Sequence, residues 1–214
     1  MIAMSTAEPN LQVIGRDPVP PALRRFIWDI QSMVELAESE REILLIGRDL
    51  MARLLATDDW LPTAFAVPHP AAGRQFQIFR DGLDRFAVVS TILSSGSVLT
   101  ISQPSVWEIA GVLRGSVNRQ QLGGSSTNGA PAGASGLLQA RMVELRSSGR
   151  GEVVEYRNGP DDPTSVVIHV YGGDIGRISR RSGASGDMLD AQPFANAESA
   201  PPYDIFSIQS EIRD

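Results

Sequence analysis

Two textures divide the chain. Between Pro20 and Pro62 apolar residues return at helical spacing. Leu23, Phe26, Ile27, Ile30 and Val34 share one face of a predicted first helix, opened by Pro20 and Pro21. Ser39 followed by Glu42 reads as a capping box for a second helix. Its apolar face carries Ile43, Leu44, Leu50, Met51, Leu54 and Leu55, and Asp58-Asp59-Trp60-Leu61-Pro62 ends it, because proline cannot continue a helix. From Phe76 the period shortens. Strands are predicted over 76–79, 85–93, 98–101, 106–113, 137–145, 152–156 and 165–171, each closed by Gly, Ser, Asn or Asp. Regular short strands with turn signals between them indicate an all-β barrel or sandwich.

The remaining segments are punctuation. Residues 1–18 are polar and proline-broken, and are expected to form an extended arm. Residues 123–136 are rich in Gly, Ser and Ala, which suits a mobile hairpin loop. After Ser182 the chain is polar and irregular, with Pro193, Pro201 and Pro202. The expected organisation is therefore an arm over 1–18, helices over 19–62 packed on a barrel, and a barrel with its loop and tail over 63–214.

Composition narrows the function. At 214 residues and 42% hydrophobic content, the chain can bury a substantial core. Its net charge is −6, and Arg177, Arg180 and Arg181 form the single close basic group, too small for a nucleic-acid groove. No nucleic-acid partner is expected. The absence of cysteine removes disulfides, thiolate metal sites and cysteine nucleophiles together, and fits a reducing compartment. The first residues lack the basic start and apolar core of a signal peptide, and no run reaches the length of a membrane span. A cytoplasmic location without membrane contact is the expectation.

The chemistry sits on the strands. Gly96, Ser102, Pro104, Glu108 and Gly115 stand at the spacing of the first cupin metal motif, and Gly149, Gly151, Val154 and Asn158 at that of the second. The turn-forming residues remain, while the three histidine positions hold Ser102, Pro104 and Val154. The stretch from Asp58 to Gly176 resembles, more narrowly, the bacterial thiol dioxygenases, the 3-mercaptopropionate branch of the cysteine dioxygenase family. Phe79-Arg80-Asp81, Arg85 to Ser90, Trp107, Gly111 to Gly115 and Ile168 to Gly172 carry that resemblance. It implies a mainly β cupin double-stranded β-helix with N-terminal α-helices.

That family holds ferrous iron with three imidazoles. Serine binds Fe(II) poorly at neutral pH, and proline and valine side chains offer no lone pair. Only His69 and His169 are histidines, and the resemblance assigns His169 to the family's Ser-X-His-X-Tyr relay, with His69 in a solvated loop. No metal and no other cofactor is expected. His169 and Tyr171 lie two apart and face one side of a strand. Val167 stands where the relay has serine. Arg180 matches the carboxylate-binding arginine of the mercaptopropionate type, and Gln75 a substrate-side glutamine.

The reading is a metal-independent barrel that binds a small carboxylate-bearing molecule. His169, Tyr171 and Glu108 are its candidate catalytic groups, for a lyase, isomerase or cyclase step. Arg180, Gln75, Ser102 and Trp107 are its candidate binding groups. The alternatives are a ligand-binding pseudoenzyme, a metalloenzyme with an unusual site, and a structural role, with a homodimer among the partners to test. Glu108 and Arg180 could also form a buried ion pair. Trp107 could equally be core, and Ser102 an ordinary inward-facing polar residue. A Ser102–His169–Glu108 triad lacks any nucleophile-elbow motif to support it.

Overall fold

The computed structural model describes residues 19–70, 72–102, 105–123, 135–149, 153–178, 180–181, 188–189, 194–196 and 201–203, with backbone only at 123, 180–181 and 188–189. The expected arm at 1–18, loop residues 124–134, Pro104 and most of the tail lie outside the described residues.

Two helices come first. α1 (Pro21–Leu36) carries proline at its first position and buries Leu23, Phe26, Ile27, Ile30 and Met33, with Val34 only partly buried. α2 (Glu40–Leu54) is capped as expected by Ser39, whose Oγ accepts from Glu42 N at 3.2 Å. The reciprocal half of the box is displaced by one residue, since Glu42 Oε2 accepts from Glu38 N rather than from Ser39 N. Trp60 then closes the helix C-terminus, its Nε1 donating to the carbonyls of Leu54 and Thr57. A short 3₁₀ turn (Thr63–Phe65) leads to the strands.

The strands are β1 (Arg74–Arg80), β2 (Ala87–Leu93), β3 (Val98–Ser102), β4 (Glu108–Arg114), β5 (Ser116–Gly123), β6 (Ser135–Gln139), β7 (Val143–Arg146), β8 (Val153–Arg157) and β9 (Ser165–Tyr171), with a short pair β10 (Arg180–Arg181) and β11 (Met188–Leu189). One sheet runs β1-β2-β9-β4-β7 and the other β3-β8-β5-β6. All their pairings are antiparallel. This is a mainly β double-stranded β-helix with two N-terminal α-helices.

Three segments differ from expectation. β5 was not anticipated. The run 137–145 is two strands in different sheets, parted where Arg141 takes a φ of 73° and donates its N–H to Val112 O at 2.8 Å. The tail supplies β11, which pairs with β10 just before it, and returns to β1. There Ala195 N donates to Gln75 O (2.8 Å), Tyr203 N to Ile78 O (2.9 Å) and Arg80 N to Tyr203 O (3.2 Å). Gln77 N also donates to Asn196 Oδ1 at 2.9 Å. The β1 edge of the larger sheet is thus covered by the chain itself.

Strand alternation divides the core. Ile109 and Leu113 of β4, with Val166, Ile168 and Val170 of β9, face the helices and pack with Leu23, Ile27, Ile30, Met51 and Leu55. Gly111 lies on this face, and a Cβ there would come within 2.6 Å of Leu55 and 2.8 Å of Met51. Its hydrogen is what lets α2 rest on the sheet. The opposite face is the barrel interior. At one end Leu93, Ile101, Ala110, Val112, Val117, Val154, Tyr156 and Val167 fill it. Gly96 and Gly115 take φ of 68° and 71°, where a side chain is strained.

Candidate functional site

Beside the apolar plug the interior turns polar. Register places Val89, His169 and Ala110 in one row and Tyr171 next to Glu108 and Arg146 in the row beyond. All of these are inward positions, so the side chains meet across neighbouring strands. His169 Nδ1 lies 2.7 Å from Glu108 Oε1, and Arg146 Nε donates to Glu108 Oε2 at 3.1 Å. On the far side His169 Nε2 is 3.0 Å from Thr91 Oγ1, which accepts from Gln75 Nε2 at 3.1 Å. The Tyr171 ring stacks on the imidazole at 5.5 Å, nearly parallel, and Tyr156 meets it edge-on at 5.8 Å.

The smaller sheet completes the layer. Tyr156 pairs with Arg119, and Val154 with Gln121. Arg119 Nε lies 3.1 Å from Glu144 Oε2, a second and less buried ion pair beside Arg146–Glu108. Burial alone would raise the Glu108 carboxyl. The His169 hydrogen bond and the Arg146 charge outweigh it and lower the carboxyl to about 2. Burial, with the Glu108 charge behind it, pushes the Tyr156 hydroxyl up, so that it remains a neutral phenol. Gln75 and Gln121 are each 3% exposed. Gln75 Oε1 and Gln121 Nε2 nevertheless make no hydrogen bond among the described residues.

Four of the residues singled out by sequence come together here: His169, Tyr171, Glu108 and Gln75. Others fall elsewhere. Ser102 ends β3 opposite Val153, while its neighbour Ile101 points into the apolar plug with Val154. Alternation turns Ser102 away from the interior, so it cannot join His169 in a triad. Trp107 belongs to the helix-side core and lies over Gly172, where a Cβ would collide with the indole. It is core, not a substrate platform. Glu108 is paired with Arg146. Only the backbone of Arg180 is described, so its role as a carboxylate partner lies outside the described side chains.

Thr91, Gln121, Arg119, Glu144, Arg146 and Tyr156 were missed. The available signal was the inward phase of their strands: Arg119 and Gln121 continue the alternation begun by Val117, and Glu144 and Arg146 lie two apart opposite Ala110 and Glu108. Thr91 follows Ser90 in an otherwise apolar run. Ser90 faces the other way and donates to Phe65 O.

Two of the positions that the resemblance would give to iron ligands are described. Val154 is fully buried among aliphatic side chains, and Ser102 faces outward; both oxygens of nearby Glu108 are engaged by His169 and Arg146. Among the described residues no group of three or more His, Cys, Asp or Glu could hold a metal. Nor is any described helix long and apolar enough to cross a membrane.

No family model matches the sequence. Among solved structures the chain is similar to a protein with a double-stranded β-helix domain from Klebsiella pneumoniae subsp. pneumoniae, at 15% identity over 61% of this chain and 94% of that one, with a TM-score of 0.40. A Cupin_2 domain of an XRE family transcriptional regulator from Enterobacter cloacae shows 16% identity over 46% and 94%, with a TM-score of 0.36. Oxalate oxidase in complex with the substrate analogue glycolate shows 12% identity over 50% and 55%, with a TM-score of 0.38. Cupin-fold neighbours thus include an enzyme and a domain of a regulator. The assignment of the fold to this chain rests on its own strand order and register.

Proposed function

We propose that the barrel interior is a metal-independent site for a small organic acid, with His169 and Glu108 as its acid–base pair. The observation that carries this is the unused hydrogen-bonding capacity, among the described residues, of Gln75 Oε1 and Gln121 Nε2, contributed to the barrel interior by the two sheets. A buried polar atom without a partner costs about 1–3 kcal/mol, and such a cost is offset where a ligand supplies the missing bond. Glu108 Oε1, 2.7 Å from His169 Nδ1, fixes the orientation of the imidazole, as an acid does for a catalytic histidine. By resemblance Arg180 would take the carboxylate through its planar fork.

A second reading is binding without turnover. Both ring nitrogens of His169 are already engaged, which favours it. Calorimetry against a panel of acids of two to four carbons, on wild type and Gln121→Leu, tests the site. Loss of affinity in the variant is the expected result, and no binding by any acid would remove the proposal. Following a bound acid by proton NMR over hours separates the two readings, because only the catalytic one predicts product that disappears in His169→Gln.

A further inference from the structure

The five side chains from Arg146 to Gln75 have a direction. Arg146 is a permanent cation, and its Nε–H donates to Glu108 Oε2 at 3.1 Å. Glu108 beside it is an ionised, acceptor-only group. His169 Nδ1, 2.7 Å from the other carboxylate oxygen, therefore carries a proton. With Nδ1 the protonated nitrogen of a singly protonated ring, Nε2 offers a lone pair, and the Thr91 hydroxyl facing it at 3.0 Å is placed to donate. Threonine has one hydroxyl proton, so Thr91 must accept from its other neighbour. That neighbour is Gln75 Nε2 at 3.1 Å. The same count settles the Gln75 amide, whose two ends are otherwise easily interchanged. Its nitrogen faces Thr91, and Oε1 is left buried with no hydrogen bond among the described residues. Every donor points toward Glu108, and the chain ends in an acceptor.

We propose that this one-way chain makes Gln75 a specificity residue, so that the site takes a small organic acid bearing a hydroxyl or amino group that donates to Gln75 Oε1. The proposal rests on the acid-binding reading above and narrows its ligand class. A carboxylate oxygen placed against Oε1 would set two acceptors face to face. A bare methylene there would leave Oε1 unpaired. Thr91 acts through His169, as a positioning residue. It supplies from β2 the orientation that Val167 cannot supply on β9.

Calorimetry on the full chain would compare propionate, lactate, 3-hydroxypropionate and 3-aminopropionate. The expected result is that at least one hydroxy or amino acid binds about tenfold tighter than propionate, and that Gln75→Met removes this preference. A gain confined to the hydroxy acids names a hydroxyl donor, and one confined to 3-aminopropionate an ammonium. Equal affinity for all four overturns this inference and leaves the acid site standing. No binding by any of them overturns this inference, and the panel of two- to four-carbon acids above then decides the acid site by itself. A ligand-free measurement tests the chain's direction. The protein has two histidines, so His69→Gln assigns the nitrogen-15 spectrum of the imidazoles. His169 should be the neutral tautomer protonated at Nδ1, and Thr91→Val should shift its Nε2 resonance. An Nε2-protonated ring in the wild type reverses the chain and overturns the inference whatever the ligands do.

Discussion

Replacing Arg146 by methionine keeps the length of the side chain and removes its charge. In the wild type Arg146 Nε sits 3.1 Å from Glu108 Oε2, and both side chains are almost wholly buried. Opposite charges about 4 Å apart interact by roughly 4 kcal/mol at an effective dielectric of about 20. Breaking a buried pair from one side costs about 3–5 kcal/mol, because the remaining charge is stranded. Arg146→Met should therefore lower the unfolding free energy by about 3–5 kcal/mol at pH 7. The pH dependence gives the sign. The Glu108 carboxyl lies at about 2 in the folded protein against an ordinary 4.5. Its stabilisation is fully present above 4.5 and is lost as pH falls through about 2. A tenfold change in proton affinity corresponds to about 1.4 kcal/mol, so this group contributes about 3 kcal/mol at neutral pH. In Arg146→Met the carboxyl rises toward neutrality, and the gap between variant and wild type should narrow as pH falls from 7 to 3. Urea unfolding at pH 7, 5 and 3 measures both effects. Adding Glu108→Gln to Arg146→Met should recover much of the loss at pH 7, since no charge is then left alone. A single variant within about 1 kcal/mol of wild type at pH 7 would refute the reasoning. So would a gap that stays constant down to pH 3.

Gly111→Ala should destabilise by about 1–3 kcal/mol, because its Cβ meets Leu55 and Met51 at 2.6 and 2.8 Å; an unchanged melting temperature would show that α2 can shift at no cost. Shortening residues 124–134 to a tight turn should leave the melting temperature nearly unchanged, since β5 and β6 already pair from Ser116–Gln139 to Gln120–Ser135, and a loss of several kcal/mol would mean that the segment packs on the barrel. Iron should be substoichiometric by elemental analysis, and sulfinate formation from cysteine or 3-mercaptopropionate undetectable. Stoichiometric iron with oxygen-dependent sulfinate would overturn the metal-independent reading.

The helices were legible because each shows an apolar stripe to a single sheet, and the period of 3.6 survives intact in Leu23, Phe26, Ile27 and Ile30. Most strands of the larger sheet were legible for the related reason that their helix-side faces are largely apolar. β5 was not, because its inward face changes character along its length. Val117 belongs to the apolar plug, but Arg119 and Gln121 follow it, and alternating polarity vanishes when buried residues are themselves polar. The same effect hid Glu144 and Arg146. His169, Glu108 and Gln75 were found by their resemblance to a known pattern, yet their connector Thr91 depends on the register of β2 against β9, which no spacing within one strand reveals. Ser102 and Trp107 show the converse. They sit at suggestive positions in the chain, but their orientation is decided by the pairing of β3 with β8 and by the open backbone at Gly172.

The segment that returns along β1 has a consequence for how this protein would fail. Residues 195, 196 and 203 occupy backbone groups at Gln75, Gln77, Ile78 and Arg80, so the outermost strand of the larger sheet is finished by a stretch distant in sequence. A proteolytic nick between residues 181 and 194 followed by loss of the fragment would bare that rim. Exposed amides and carbonyls recruit strands from other molecules, and the clipped barrel would become a seed for end-to-end polymers. Gln75 belongs to the rim so exposed. Self-association and loss of the binding site would therefore begin with the same cut.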